Sequence, residues 1–344
     1  MEKQRMPLKL KGLVIGKIPP RNENERYVFI DITKGIGILL VVICHINILP
    51  GCMSSTVNSF HMPLFFFVSG LFFNQYMKPA KLFRSKMNRL IKPYYIWAVP
   101  MFLIYELVTP KIYSSAFSQL QDFFLGMREH NYVFTSTMWF LTSLFVVYFI
   151  AFLYSQILQK YKLVMILGLL GLLLYVDKKD IILPLNADVS LYMMPFFLIA
   201  YKLRCHILTK QVPKLIVAMS VSILTVYTIT DYIVPKQIEN MNFYNCKFGV
   251  YPINYLLGFS GIFFVICISR FLEFNKHAAN FFVFWGKNSI IVLIIHQAFI
   301  IHPLNCYGLI NGGFCDNLIR LIIILLLSYL SILFINKYLK WSIN

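Results

Sequence analysis

The sequence predicts an all-α integral membrane protein with about ten transmembrane helices and both termini in the cytoplasm. Of its 344 residues, 58% are hydrophobic and only 13% are charged, and the mean hydropathy is +0.68. A soluble domain carries about 25% charged residues and has no place for so much Leu, Ile and Phe. Long apolar runs such as residues 318–334 lack the alternation of a membrane barrel strand, so helices are the expected spanning elements.

Ten apolar runs approach the length of about 20 residues that a helix needs to cross the hydrocarbon core. They are residues 28–49, 57–77, 91–108, 138–158, 163–176, 189–203, 215–233, 250–271, 281–301 and 318–334. The fifth and sixth runs are short, and Pro195 is expected to kink the sixth. We expect residues 1–26 to form a basic cytoplasmic tail and residues 27–344 a single ten-helix membrane domain.

The basic residues predict the orientation of these helices. Of the 32 Lys and Arg residues, 24 lie in the N-terminal tail, in alternate connections and at the C-terminal end, whereas the other connections hold seven. Under the positive-inside rule, both termini are cytoplasmic and the number of helices is even. The net charge of +18 therefore reflects topology. It predicts membrane lipids and anionic cytosolic ligands as partners and no nucleic acid.

Three ionisable residues lie inside the first predicted helix. Asp31 and Lys34 are neighbours at i,i+3, and His45 follows Lys34 by eleven residues, which leaves about 20° of rotation between the two on a helix. Lys34 and His45 therefore share one face, about 16 Å apart along the axis. Ionisable groups within a membrane are costly and mark function. The structural alternative is an interfacial ion pair with a snorkelling lysine, and a His45 packed near the outer headgroups.

Further polar and aromatic residues fall at the predicted depth of His45. His61 begins the second helix, His296 lies in the outer half of the ninth, Trp139 begins the fourth and Glu106 ends the third. Each alone is explained as an interfacial anchor, but together they predict a pocket. A zinc site is not expected because the histidines lie on separate helices without short ligand spacing. A proton relay would need carboxylates in several spans.

Signatures of common soluble enzymes are absent from the sequence. It contains no G-x-S-x-G or H-E-x-x-H, and Phe281 stands where a P-loop ending in Gly286-Lys287 would have its first glycine. The segment 286–289 opens the ninth predicted helix. We expect Asn288 or Ser289 to cap that helix, in preference to a phosphate site.

Several segments together resemble the acyltransferase 3 family, and within it the fucose 4-O-acetylase-like branch. The segments are residues 31–45, 60–70, 89–94, 138–141 and 286–289, followed by His296. The resemblance implies a membrane O-acetyltransferase that moves an acetyl group from cytosolic acetyl-CoA to a hydroxyl of a cell-surface or exopolysaccharide sugar. It also leaves open a polysaccharide exporter or an O-succinyltransferase.

The resemblance also suggests roles for the residues singled out above. The family has a basic residue, usually Arg, before the histidine of its first helix, and Lys34 stands in that place before His45. His45 is the expected general base, with Asp31 and Lys34 orienting the donor. Donor binding is assigned to Lys34, Lys86 and Arg89, and acceptor binding to His61, Glu106, Trp139 and His296. No metal or bound cofactor is expected. Acetyl-CoA acts as co-substrate, a glycan or lipid-linked sugar as acceptor, and the cell (inner) membrane is the expected location. A covalent acyl-histidine step stays open.

Overall fold

The computed structural model describes residues 9–10, 13–14, 26–108, 116–127, 137–234, 247–306 and 313–343. At 9–10, 13–14, 104–108, 116–120 and 314 only the backbone is described. Most of the predicted tail, residues 1–26, lies outside these ranges. Within it, β1 (Lys9–Leu10) pairs with β2 (Leu13–Val14) in an antiparallel hairpin. Most of the other described residues are helical, and the chain is an all-α integral membrane protein.

Fifteen α-helices follow in the described part of the chain. They are α1 (Val28–His45), α2 (Gly51–Asn58), α3 (His61–Leu71), α4 (Pro79–Lys86), α5 (Lys92–Val108), α6 (Ala116–Leu125), α7 (Trp139–Gln156), α8 (Lys162–Lys178), α9 (Ala187–Thr209), α10 (Lys214–Ile233), α11 (Ile253–Leu272), α12 (Lys276–Lys287), α13 (Ser289–Ile295), α14 (His302–Cys306) and α15 (Phe314–Tyr338). Two π-helical turns, Met87–Ile91 and His296–Ile301, join α4 to α5 and α13 to α14.

Eight helical segments among the described residues are long and apolar enough to cross a membrane. They contain α1, α7, α8, α9, α10, α11, α15 and the segment from Ser289 to Cys306. The second predicted span, residues 57–77, overlaps only the last two residues of α2 and corresponds mainly to α3, which has 11 residues. The chain turns at Phe60, which has φ −130°, and α3 ends at Leu71. The third corresponds to α5, which has 17 residues. The total of ten spans and the sidedness of the termini stay predictions.

The ninth predicted span, residues 281–301, is the clearest difference in helix boundaries. The chain breaks at Asn288, whose side-chain amide donates to the Phe284 carbonyl at 2.8 Å and whose oxygen accepts from Asn336 at 2.8 Å. Asn288 occupies the N-cap position of α13, as predicted, but its side chain makes no capping hydrogen bond to that helix. The side-chain cap lies at the start of α12, where Asn275 accepts from the backbone amides of His277 and Ala278.

The centre of the bundle is α1, which packs against α3, α11 and α12, while α3 packs on α9 and α9 on α7. Peripheral helices expose apolar side chains, among them Leu163 on α8, Leu215 on α10 and Ile322 on α15. In a membrane protein such faces meet lipid. We call the side where α1 begins the inner side and the side where it ends the outer side; the charge distribution predicts that the inner side is cytosolic.

Candidate active site

The inner half of α1 holds an ion pair in a tightly packed position. The Lys34 ammonium lies 2.6 Å from a carboxylate oxygen of Asp31, and Asp31 is buried. One turn of α1 is fixed on its neighbours by Thr33, whose hydroxyl donates to Ser269 of α11 at 2.9 Å. The predicted pairing of Asp31 with Lys34 is therefore present, on a helix that is hydrogen-bonded to α11.

Lys34 opens onto a cavity of about 180 Å³ between α1, α3, α7 and α13. Besides Lys34, only two of the described lining residues are polar, Ser69 and Ser289. The other lining residues are apolar: Ile38, Met62, Phe65, Val68, Leu90, Phe140, Leu141, Leu144, Ile290 and Leu293. The cavity therefore combines one cation and two hydroxyl groups with apolar walls.

Lys86 and Arg89 lie beside this cavity, on the segment that contains its lining residue Leu90. The Lys86 ammonium sits 3.6 Å from the centroid of the Tyr148 ring, and the Tyr148 hydroxyl donates to the Ser69 carbonyl at 3.4 Å. Burial, with a smaller effect of the Arg89 charge, lowers the pKa of Lys86 to about 8. Arg89 itself is exposed in the π-helical turn. Both cations are thus available close to the inner part of the cavity.

Three histidines lie towards the outer side. The ring centroids of His45 and His296 are 5.2 Å apart, and the rings are tilted by 48°. His61 and His296 each interact electrostatically with His45. The structure therefore brings together the three imidazoles that the sequence could place only at similar depth.

Hydrogen bonds define the protonated nitrogen of two of these rings. Nδ1 of His61 lies 3.0 Å from the Val57 carbonyl, and Nδ1 of His296 lies 2.7 Å from the Val292 carbonyl. A carbonyl only accepts, so Nδ1 of each neutral ring carries the proton and Nε2 carries the free lone pair. Within the described part of the chain, the buried Nε2 of His296 has no hydrogen-bond partner. These rings are able to accept a proton or a hydrogen bond from a ligand.

The remaining predicted site residues are placed unequally. Trp139 is buried as the first residue of α7, and its ring is in edge contact with Phe140, which lines the cavity. Glu106 belongs to α5, but its side chain lies outside the described residues. The described residues contain no group of three or more His, Cys, Asp or Glu side chains arranged to hold a metal.

Sequence reasoning missed the hydroxyls of Ser69 and Ser289 and both π-helical turns. Such turns occur frequently at functional sites. One begins at His296, and the other contains Arg89 and Leu90. The turn at His296 lies in a continuous apolar run, in which the change of helix type leaves the composition unchanged. The turn at Met87–Ile91 lies in a mixed polar and apolar segment without a clear period.

A family model described as an acyltransferase domain matches residues 27–337. The chain belongs to the acyltransferase 3 family. No curated protein and no solved structure matches it. Because the match runs from the start of α1 to the last turn of α15, the ion pair, the cavity and the three histidines all belong to the acyltransferase domain. The protein is thus a multi-pass membrane acyltransferase, and its cavity and histidines are the candidates for its chemistry.

Proposed function

We propose that the protein transfers an acetyl group from cytosolic acetyl-CoA to a hydroxyl of a cell-surface or exopolysaccharide sugar, across the cell (inner) membrane. The observation that carries this proposal is the cavity in the acyltransferase domain, which begins at Lys34 and is lined by Met62, the neighbour of His61. The histidines lie just beyond its lining residues, because Met62 follows His61 and Leu293 precedes His296 by three residues. A thioester donor that entered from the inner side would therefore end close to the imidazoles.

The donor would enter from the inner side. Lys86 and Arg89 lie where the CoA phosphates would bind, because phosphate oxygens favour cationic donors. The Lys34 ammonium uses one of its three donors on Asp31, so two stay available for a carbonyl of the pantetheine arm. Lys34 and His45 are roughly 16 Å apart along α1, and an extended pantetheine arm suits this distance.

The reaction needs a base and no added cofactor, because a thioester is already activated. His45 would take the proton of the sugar hydroxyl while the hydroxyl oxygen attacks the thioester carbonyl carbon. The carbon–sulfur bond then breaks, while the proton is held by the His45 imidazolium. The imidazolium passes this proton to the CoA thiolate. An ester forms on the sugar, CoA leaves as the thiol, and His45 returns to its neutral state.

The acceptor would bind at the outer side. His61 and His296 present Nε2 lone pairs, which accept hydrogen bonds from sugar hydroxyls. Trp139 and Glu106 are the further acceptor contacts that the sequence predicts. Because His296 lies against His45, a hydroxyl held by His296 would be close to the general base.

Mass spectrometry of surface glycans from a strain that lacks the protein tests this function. We expect each acceptor unit to lose the mass of one acetyl group, and the wild-type chain to restore it. Loss of the glycan from the surface without a change in its mass would instead support an exporter. Loss of a succinyl mass would support an O-succinyltransferase.

A further inference from the structure

The two ends of the cavity differ in chemistry, and this difference bears on the donor that the protein accepts. Among the lining residues of the polar end, Lys34 and Ser289 lie near the contact between Gly286 and Asp31, and Ser69 lies near the inner end of α3. Met62, Phe140 and Leu141 lie at the opposite, apolar end, in the first turns of α3 and α7. This inference rests on the proposed function, in which the thioester enters at the polar end. The acyl group, as the leading end of the donor, would then occupy the apolar end.

The walls of the apolar end are rigid. Phe140 is buried, and its ring stands edge-on to Phe66 at 5.2 Å and to Phe65 at 5.8 Å between centroids. The Phe65 ring is half-buried, and its edge lies 3.1 Å from the position that a Cβ atom on Gly37 would take, so the ring packs closely on the backbone of α1. A buried aromatic group packed on several sides does not move aside at low cost. The apolar end therefore has a defined depth.

Its size restricts the acyl chain. An apolar protein cavity of about 150 Å³ holds a six-carbon ring. The cavity of about 180 Å³ must hold the thioester and part of the arm as well as the acyl group. The volume that the thioester and the arm leave free accommodates an acyl group of about two to four carbons.

Charge restricts it further. Lys34 is the one charged side chain among the described residues that line the cavity, and Asp31 already neutralises it at 2.6 Å. Burying a second carboxylate among Phe and Leu side chains without a partner is strongly unfavourable. A succinyl donor is therefore expected to bind poorly.

We propose that the apolar end is the acyl pocket of the enzyme and that Phe140 determines the longest acyl group it accepts, selecting short uncharged donors. Phe140 closes the pocket by packing on Phe65 and Phe66. Phe140 and Phe65 are the two aromatic residues, among those that the structure describes, that line the cavity. It is a specificity-determining residue with no part in proton transfer.

A series of acyl-CoA donors tests the proposal with purified protein reconstituted in vesicles. Transfer of acetyl, butyryl, hexanoyl and succinyl groups to a soluble acceptor glycan is followed by mass spectrometry. In a hydrophobic pocket one methylene group changes kcat/KM by about 10- to 200-fold. We expect the wild type to use hexanoyl-CoA at least about tenfold less well than acetyl-CoA. Succinyl-CoA and butyryl-CoA have acyl chains of equal length, and kcat/KM should be lower for succinyl-CoA than for butyryl-CoA.

Phe140→Leu enlarges the pocket on the α7 side, and Phe65→Leu enlarges it on the α3 side. Each should raise the hexanoyl-to-acetyl ratio of kcat/KM by about tenfold. Phe149→Leu is the matched control, because Phe149 lies on the same helix, is 41% exposed and packs on Phe83 away from the cavity. It should leave the ratio unchanged.

The outcomes separate this proposal from the proposed function. If the wild type transfers acetyl groups but both pocket variants keep its chain-length ratio, the assignment of Phe140 is wrong while the acetyltransferase function stands. If the wild type transfers no acyl group from any donor, the proposed function itself is wrong. Should the variants fold poorly, thermal stabilisation of the wild type by the same donors must fall from acetyl- to hexanoyl-CoA. A constant or rising shift overturns the proposal.

Discussion

His45 is the residue on which the proposed chemistry depends most directly. Its imidazole lies beside that of His296, at the outer end of the helix that carries Lys34. Loss of a general base typically lowers a rate by about 10²- to 10⁴-fold. We therefore expect His45→Ala to reduce kcat for acetyl transfer by that factor in a direct assay, while the variant is still inserted in the membrane.

The controls for this substitution are other histidines. His302 lies further along the same helical segment as His296, next to Cys306. His302→Ala should leave kcat unchanged. His61→Ala and His296→Ala should mainly raise KM for the acceptor. A wild-type rate from His45→Ala would contradict the assignment of His45, even though the family membership would stand.

Lys86 provides a prediction about pH. Its pKa is lowered to about 8, so the ammonium is charged below pH 8 and neutral above it. If this charge binds donor phosphates, KM for acetyl-CoA should rise several-fold between pH 7 and pH 9. Lys86→Arg stays charged over this range and should abolish the rise, since the guanidinium pKa exceeds 12. Lys81→Arg, which alters an exposed lysine of the same helix, should show the wild-type profile.

At the residue scale, the sequence identified side chains more successfully than it identified their partners. Asp31, Lys34 and His45 were recognisable because charged groups in an apolar run are conspicuous. The pairing of Asp31 with Lys34 followed from their spacing on one helix. The contact between His45 and His296 was beyond prediction, because it depends on which helices adjoin, and hydropathy carries no information about neighbours.

The crossing of α1 and α12 holds the inner half of the site in place. A methyl group on Gly286 would overlap the backbone carbonyl of Asp31, and one on Gly35 would overlap that of Phe282. Overpacking of this kind costs about 1–3 kcal/mol or more. We expect Gly286→Ala to lower the apparent melting temperature of the purified protein by several degrees and to reduce acetyl transfer.

Gly168 on α8 is the matched control, because nothing lies within 4 Å of a Cβ atom built there. Gly168→Ala should be neutral or stabilising by up to about 1 kcal/mol, as alanine favours helix formation. Equal melting temperatures for Gly286→Ala and the wild type would show that the two helices do not pack as closely as described.

At the element scale, uninterrupted apolar runs were predicted well and breaks within runs were not. The start of α1 at Val28 agrees with the prediction, since the apolar run begins there. The break at Asn288 depends on its hydrogen bonds to Phe284 and Asn336, and the latter lies on α15, far away in sequence. The sequence alone does not reveal whether a single asparagine in an apolar run has a hydrogen-bond partner on a distant helix.

At the scale of the whole molecule, we expect the inner side to face the cytosol and the outer side to face the opposite compartment. Met53, which is 49% exposed on α2, lies in the outer part, and Lys81, exposed on α4, lies in the inner part. In a chain without its native cysteines, Met53→Cys should react with an impermeant thiol reagent in intact cells. Lys81→Cys should react only after permeabilisation. The reverse pattern would invert the orientation.

The central claim, acetyl transfer from a donor on one side of the membrane to a sugar on the other, is tested most directly in proteoliposomes. Isotope-labelled acetyl-CoA is supplied at the side that Lys81→Cys labelling identifies as inner, and the acceptor glycan only at the opposite side. The account predicts labelled acetyl ester on the glycan with the wild type, and a reduction of about 10²-fold or more with His45→Ala. Unlabelled glycan, with all label still on CoA, would contradict it.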